Sequence, residues 1–186
     1  MQRAATIELI LCWLAWAYPF VFRAPHYQKR ASTVATASTL VGLALECAGI
    51  FIAVRFYWRP ASQPPGIARI LGSMALGPVG AILAWTAVKH LGRQFRIRAG
   101  LYEDHELVRS GPYAVVRHPI YASILAILLS TLLLLTPWQW IAVSLALFAA
   151  GTEIRVHVED KLLASRFGRD FEDYRRQVRA YVPLVR

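Results

Sequence analysis

The sequence predicts an all-α integral membrane protein of five transmembrane helices with a cytosolic helical tail. Three observations predict it. Apolar residues make up 56% of the 186 and mean hydropathy is +0.40, too high for a water-soluble domain. The apolar residues fall into runs close to the roughly 20 needed to cross a bilayer. The basic residues, which give a net charge of +10, flank those runs instead of forming a separate basic face, so anionic lipid headgroups and not nucleic acid are their expected counterpart.

Residues 6–22 form the first apolar run, with Glu8 near its outer end and Trp16 and Tyr18 placed for a membrane interface. It follows Arg3 with no evident small-residue cleavage site, so it reads as a retained helix and not a signal peptide. A basic loop, 23–32, precedes a second span at 33–58, which ends in the aromatic-rich Arg-Phe-Tyr-Trp-Arg. Glu46 interrupts that span. An ionisable group there is either functional or hydrogen-bonded to a neighbouring helix.

Pro60, Pro64, Pro65 and Gly66 connect to a third span at 67–88, whose Gly72, Gly77, Pro78 and Gly80 permit close helix approach and a kink. Residues 89–119 form the longest polar insert. From Ile120 two apolar runs of about 16 residues, divided by Thr136-Pro137, suit a tight helical hairpin that just crosses a locally thinned bilayer. The tail from Thr152 is helical in pattern, with Gly168 a stop, Asp170 the cap of a second helix and Pro183 its end.

With the 89–119 insert in the cytosol, 17 of the 21 Lys and Arg residues lie on that side, which predicts a multi-pass N-out, C-in orientation. The chain is then one membrane domain: residues 1–88 hold three spans, and 89–186 hold a loop, a hairpin and tail helices that carry the chemistry. No internal repeat favours a repeat-built transporter. Cys12 and Cys47, both inside apolar runs, read as small buried thiols and not as a disulfide framework or metal ligands.

Residues 105–121 organise the chain. Gly111-Pro112 is turn chemistry, and Pro119 stands where a helix tolerates proline best, in its first turn. A helix start offers unpaired N–H groups and partial positive charge to an anionic ligand group, with Arg117, His118 and Tyr121 beside it. The tail folds back towards this stretch. Arg155 and Glu159, four apart, share one helix face, which in isolation is the pattern of a surface ion pair.

The motif Gly111-Pro-Tyr-x-x-Val-Arg-His-Pro-Ile-Tyr121, with Leu91-Gly92 and His105-Glu-Leu-Val108 before it and Arg155-x-x-x-Glu159-Asp160 through Phe167-Gly168 to Tyr174 after it, resembles the isoprenylcysteine carboxyl methyltransferases and the related phospholipid methyltransferases. The resemblance covers about the last hundred residues. It implies an enzyme that takes S-adenosyl-L-methionine from the cytosol and a lipophilic or lipidated acceptor from the bilayer. His118 and Arg117, at the helix start with Pro119 and the Gly111 turn, are expected to serve the cofactor carboxylate. Tyr113 and Tyr121 would hydrogen-bond to it or face its sulfonium. The backbone of Glu106, Leu107 and Val108 would meet the adenine, with His105 beside it. A carboxylate acceptor arrives ionised and needs an orienting cation, the role expected of Arg155, with Glu159 fixing its guanidinium. An amine acceptor on a phospholipid would instead recast Glu159 or His118 as a general base. A sterol-reductase-like enzyme and a non-enzymatic scaffold are the other readings. His157, Arg109 and Arg175-Arg176 are expected to face solvent or headgroups, and Phe167 and Tyr174 to be core.

Overall fold

The computed structural model describes residues 1–22, 31–33, 37–55, 65–92, 95, 100–102 and 106–183. His105, most of the 23–32 loop and the aromatic run after Arg55 lie outside the described residues. Among the described residues six α-helices carry the fold: α1 Gln2–Phe22, α2 Ala37–Arg55, α3 Ile67–Leu91, α4 Pro119–Leu135, α5 Trp138–Phe167 and α6 Arg169–Gln177. Two three-residue strands, β1 Ala31–Thr33 and β2 Gly100–Tyr102, pair antiparallel and tie together two stretches read from the sequence as loops. Four helices, α1, α2, α3 and α5, are long and apolar enough to cross a membrane, and α4 is a shorter apolar helix of 17 residues. Their outer faces expose Ile7, Leu11, Leu14, Leu40, Phe51, Leu71 and Ile82, a lipid-facing surface unsuited to water. This is an integral membrane protein.

The expected hairpin differs in its packing. α4 and α5 are joined through Thr136-Pro137, but α4 lies chiefly against α3 and α5 against α2, with α2 also touching α4 and α1 flanking α3. Small residues decide these partners. On α3, a Cβ at Gly80 would stand 3.0 Å from Ile127 N and Ser123 O of α4, and one at Gly77 would meet Cys12 Sγ of α1 at 3.1 Å. The α3–α4 seam is closed by the Ser73–Ser130 hydroxyl pair at 3.0 Å. Trp16 donates to Ser123 Oγ, one turn into α4, at 3.0 Å, and Tyr18 stacks on Trp85. Cys12 is buried as expected, whereas Cys47 is exposed on α2.

The last apolar run and the first tail helix are one uninterrupted rod of 30 residues, α5. Gly168, at φ 53°, stops it, and the same glycine, not Asp170, stands at the N-cap of α6. Asp170 is in the first turn. The second tail helix ends at Gln177, well short of Pro183, because residues 178–180 are drawn into backbone contact with the stretch before α4.

At the opposite end of the bundle Arg69 of α3 closes α4. Its guanidinium donates to the carbonyls of Leu133 (2.8 Å), Leu132 (3.0 Å) and Thr136 (2.6 Å) at the end of the helix, where carbonyls run out of internal donors; Leu132 O also accepts the Thr136 N–H. Arg69→Ala is expected to destabilise the protein by about 1–3 kcal/mol, the cost of leaving partly buried carbonyls unpaired. A melting temperature in detergent equal to that of the parent protein would refute this role.

Candidate active site

The site forms where the entry to α4, the second half of α5 and the tail after α6 converge. Residues Gly111–Ala114 make a single 3₁₀ turn. Gly111 sits at φ 59°, a backbone conformation that favours glycine, and a Cβ there would also displace the exposed ring of His90, whose Nε2 would lie 2.3 Å away. Tyr113 is buried, and its carbonyl accepts the Tyr174 hydroxyl at 2.6 Å, which pins the turn to α6. Burial raises both phenols above their ordinary range, Tyr174 to about 12. Arg109, exposed as expected, also lies over the Tyr174 ring and donates to Asp170 O at 2.7 Å.

Pro119 takes the first helical position of α4 with His118 as N-cap residue. Proline has no N–H, and the two amides just before it are satisfied by the tail: Arg117 N–H donates to Arg179 O at 2.8 Å and His118 N–H to Ala180 O at 2.7 Å. The tail is thereby laid across the helix start. Tyr121 of α4, Val156 of α5 and Ala180 and Tyr181 of the tail make the small apolar core beneath it.

Arg117 and His118 are both buried, at 7% exposure, and both already face carboxylates of the protein. Arg117 donates from Nη2 to Asp160 Oδ2 at 3.0 Å and from Nη1 to the carbonyls of Val178 and Arg175, while its buried Nε has no hydrogen-bond partner among the described residues. His118 stands between two acids, with Nε2 2.9 Å from Asp160 Oδ1 and Nδ1 3.4 Å from Glu159 Oε2. Burial works against its charged form. The hydrogen bonds and charges of Asp160 and Glu159 outweigh that and raise His118 to about 9, so at neutral pH it is an imidazolium donating from both nitrogens.

The expected Arg155–Glu159 pair does not form. Glu159 is taken by Tyr121, whose hydroxyl donates to Oε1, and by His118. Arg155 leans the other way, to α2, where Nη1 meets Glu46 Oε2 at 2.6 Å, and its guanidinium lies 5.0 Å over the Tyr121 ring. The two residues do share a face of α5, but that face lies between α2 and α4 and offers each a nearer partner. Sequence reasoning left Glu46 open between function and a helix-to-helix bond, and Asp160 was not among the expected site residues. The signals for Asp160 are its place in the motif and its adjacency to Glu159; for Glu46 the signal is a carboxylate inside an apolar run.

Arg117, His118, Pro119, Tyr121, Arg155 and Glu159 are thus gathered at one locus, with Gly111 and Tyr113 in the turn leading to it. Glu106, Leu107 and Val108 approach that turn outside any helix or strand, Glu106 exposed and the other two half-buried. The arrangement sets an ordered guanidinium, a phenol and a partly exposed carboxylate around the junction of a polar surface and apolar helices.

The sequence model of the isoprenylcysteine carboxyl methyltransferase family matches residues 74–165, from within α3 to near the end of α5. The chain is 30% identical over 110 residues to the probable protein-S-isoprenylcysteine O-methyltransferase of Oryza sativa subsp. indica, an alignment covering 58% of this chain and 57% of the relative. It is 34% identical to protein-S-isoprenylcysteine O-methyltransferase B of Arabidopsis thaliana, covering 58% of this chain and 55% of that one. Against the protein-S-isoprenylcysteine O-methyltransferase of Schizosaccharomyces pombe the figures are 33% identity, 58% and 46%. The chain spans about half the length of the relatives it matches. Glu46 lies outside the matched family segment.

Proposed function

We propose that this chain, whose residues 74–165 match the model of the isoprenylcysteine carboxyl methyltransferase family, transfers a methyl group from S-adenosyl-L-methionine to the carboxylate of a lipophilic, isoprenylcysteine-type acceptor. The observation that carries this reading is the Arg155 guanidinium, held by Glu46 and stacked on Tyr121, the residue whose hydroxyl bonds Glu159, where the apolar helices meet the polar turn. An acceptor carboxylate is ionised at neutral pH and needs no base; it needs alignment, which an ordered cation supplies.

The residues present fit the cofactor in the chemistry of their donors. The partly exposed carboxylate of Glu159 suits an ammonium, and the unpartnered Nε of Arg117 is a buried donor suited to a carboxylate. Tyr113 and Tyr121 provide aromatic wall, the turn at Gly111 provides close backbone approach, and the backbone of Glu106 to Val108, with His105 before it, remains the proposed adenine edge. When bound, S-adenosyl-L-methionine supplies an electrophilic methyl group on sulfur. His118 and Asp160 then act on the protein: they fix Glu159 and Arg117 in place, and the tail packs through Ala180 and Tyr181 against Tyr121 and Val156 beneath them.

In the bilayer we read five crossings, with α4 as the short fourth, about 26 Å long at 1.5 Å per residue. The charge asymmetry supports N-out, C-in, with the site at the cytosolic leaflet. Detergent-solubilised protein given labelled cofactor and a prenylcysteine analogue is expected to yield a base-labile methyl ester. A base-stable product would instead indicate N-methylation of an amine, and failure to bind S-adenosyl-L-methionine would remove the proposal.

A further inference from the structure

We propose that Glu46 is a positioning residue for methyl transfer: from α2, outside the family-matched segment, it sets the orientation in which Arg155 meets the acceptor carboxylate. The inference rests on the role given to Arg155 above. Glu46 is 3% exposed near the middle of α2, whose other residues from Leu40 to Val54 are all apolar, where a lone carboxylate would be strongly disfavoured. Both its oxygens are spent on α5: Thr152 Oγ1 donates to Oε1 at 3.0 Å and Arg155 Nη1 to Oε2 at 2.6 Å.

The two backbones are brought together for this contact. A Cβ at Gly42, one turn before Glu46, would stand 2.7 Å from Arg155 Cγ and 2.9 Å from Gly151 O. A Cβ at Gly151 would fall 2.4 Å from Gly42 O and 2.8 Å from Glu46 N. The stem of Arg155 is therefore laid across a bare stretch of α2, and its head is held at one corner by Glu46 and on one face by Tyr121. A guanidinium gripped this way keeps a single edge, Nε and Nη2, which makes no hydrogen bond among the described residues. Planar two-point recognition of a carboxylate uses such an edge. An ion pair serving only to join α2 to α5 would need no particular free edge.

Glu46→Gln keeps the shape and removes the charge. In steady-state assays with a prenylcysteine analogue it is expected to raise the acceptor KM at least tenfold, with the dissociation constant for S-adenosyl-L-methionine changed less than twofold. Glu46→Asp should restore part of the loss. Thr152→Val, which removes only the second bond to Glu46, should give a smaller rise in acceptor KM and serves as the readout if Glu46→Gln does not fold. An unchanged acceptor KM in a folded, active Glu46→Gln protein, or equal weakening of cofactor and acceptor, would overturn this inference alone. Parent protein that binds the cofactor but methylates no carboxylate would overturn the functional reading and the inference with it.

Discussion

Asp160→Ala is expected to unfold the site, with cofactor binding lost and the protein destabilised by about 3–5 kcal/mol, the cost of stripping the partner from buried charge. The reason is that one carboxylate serves two cations: Asp160 bonds Arg117 Nη2 at 3.0 Å and His118 Nε2 at 2.9 Å. Arg117 cannot shed its proton, so it would be left with only carbonyl partners. Thermal melting in detergent and calorimetric titration of S-adenosyl-L-methionine check the two halves of this expectation. A parent-like melt would refute it. The same cluster sets a pH dependence. His118 is raised in the folded protein to about 9 from an ordinary value near 6.5, so its contribution to stability is complete below about 6.5 and is lost as pH rises through about 9. Asp160→Asn, which removes a charge that holds the imidazolium, should move that alkaline loss to lower pH.

Arg155→Lys is expected to lower methyl transfer about 100-fold while the fold survives. Lysine keeps a positive charge for Glu46 but replaces a planar fork with a single point of attachment, and it loses the stacking on Tyr121. Misalignment of an ångström at a reacting centre carries a loss of that order. Lysine is the more telling substitution, since Arg155→Ala would also leave Glu46 buried without its cation and mix instability with lost chemistry. Initial rates at saturating cofactor decide the matter, and a rate within threefold of the parent would exclude Arg155 from acceptor alignment.

Much of this architecture is legible in the chain because it follows from local chemistry. Apolar runs mark the helices, Pro119 marks the start of α4, and Gly168 marks the end of α5. The turn at Gly111-Pro112 marks the entry to α4 that meets α5, whereas the pairing expected within α5 is replaced by partners on α2 and α4. What escapes the sequence depends on which helix lies beside which. Glu46 and Arg155 are 109 positions apart, and their pairing needs the register of α2 on α5, set by glycines whose roles appear only when both helices are in place. Asp160 sits next to a residue that draws attention on its own. The segment after Gln177 carries a helical spacing at Val178, yet it leaves the helix because the amides before Pro119 need acceptors and the tail supplies them.

The unbroken course of α5 has a mechanical consequence. At 30 residues and about 1.5 Å each, it is a single beam of about 45 Å, and no hinge lies between its lipid-embedded turns and those bearing Arg155, Glu159 and Asp160. Whatever inclination the hydrocarbon thickness imposes on one end is therefore delivered undamped to the other, which makes the surrounding lipid part of the alignment of the pocket.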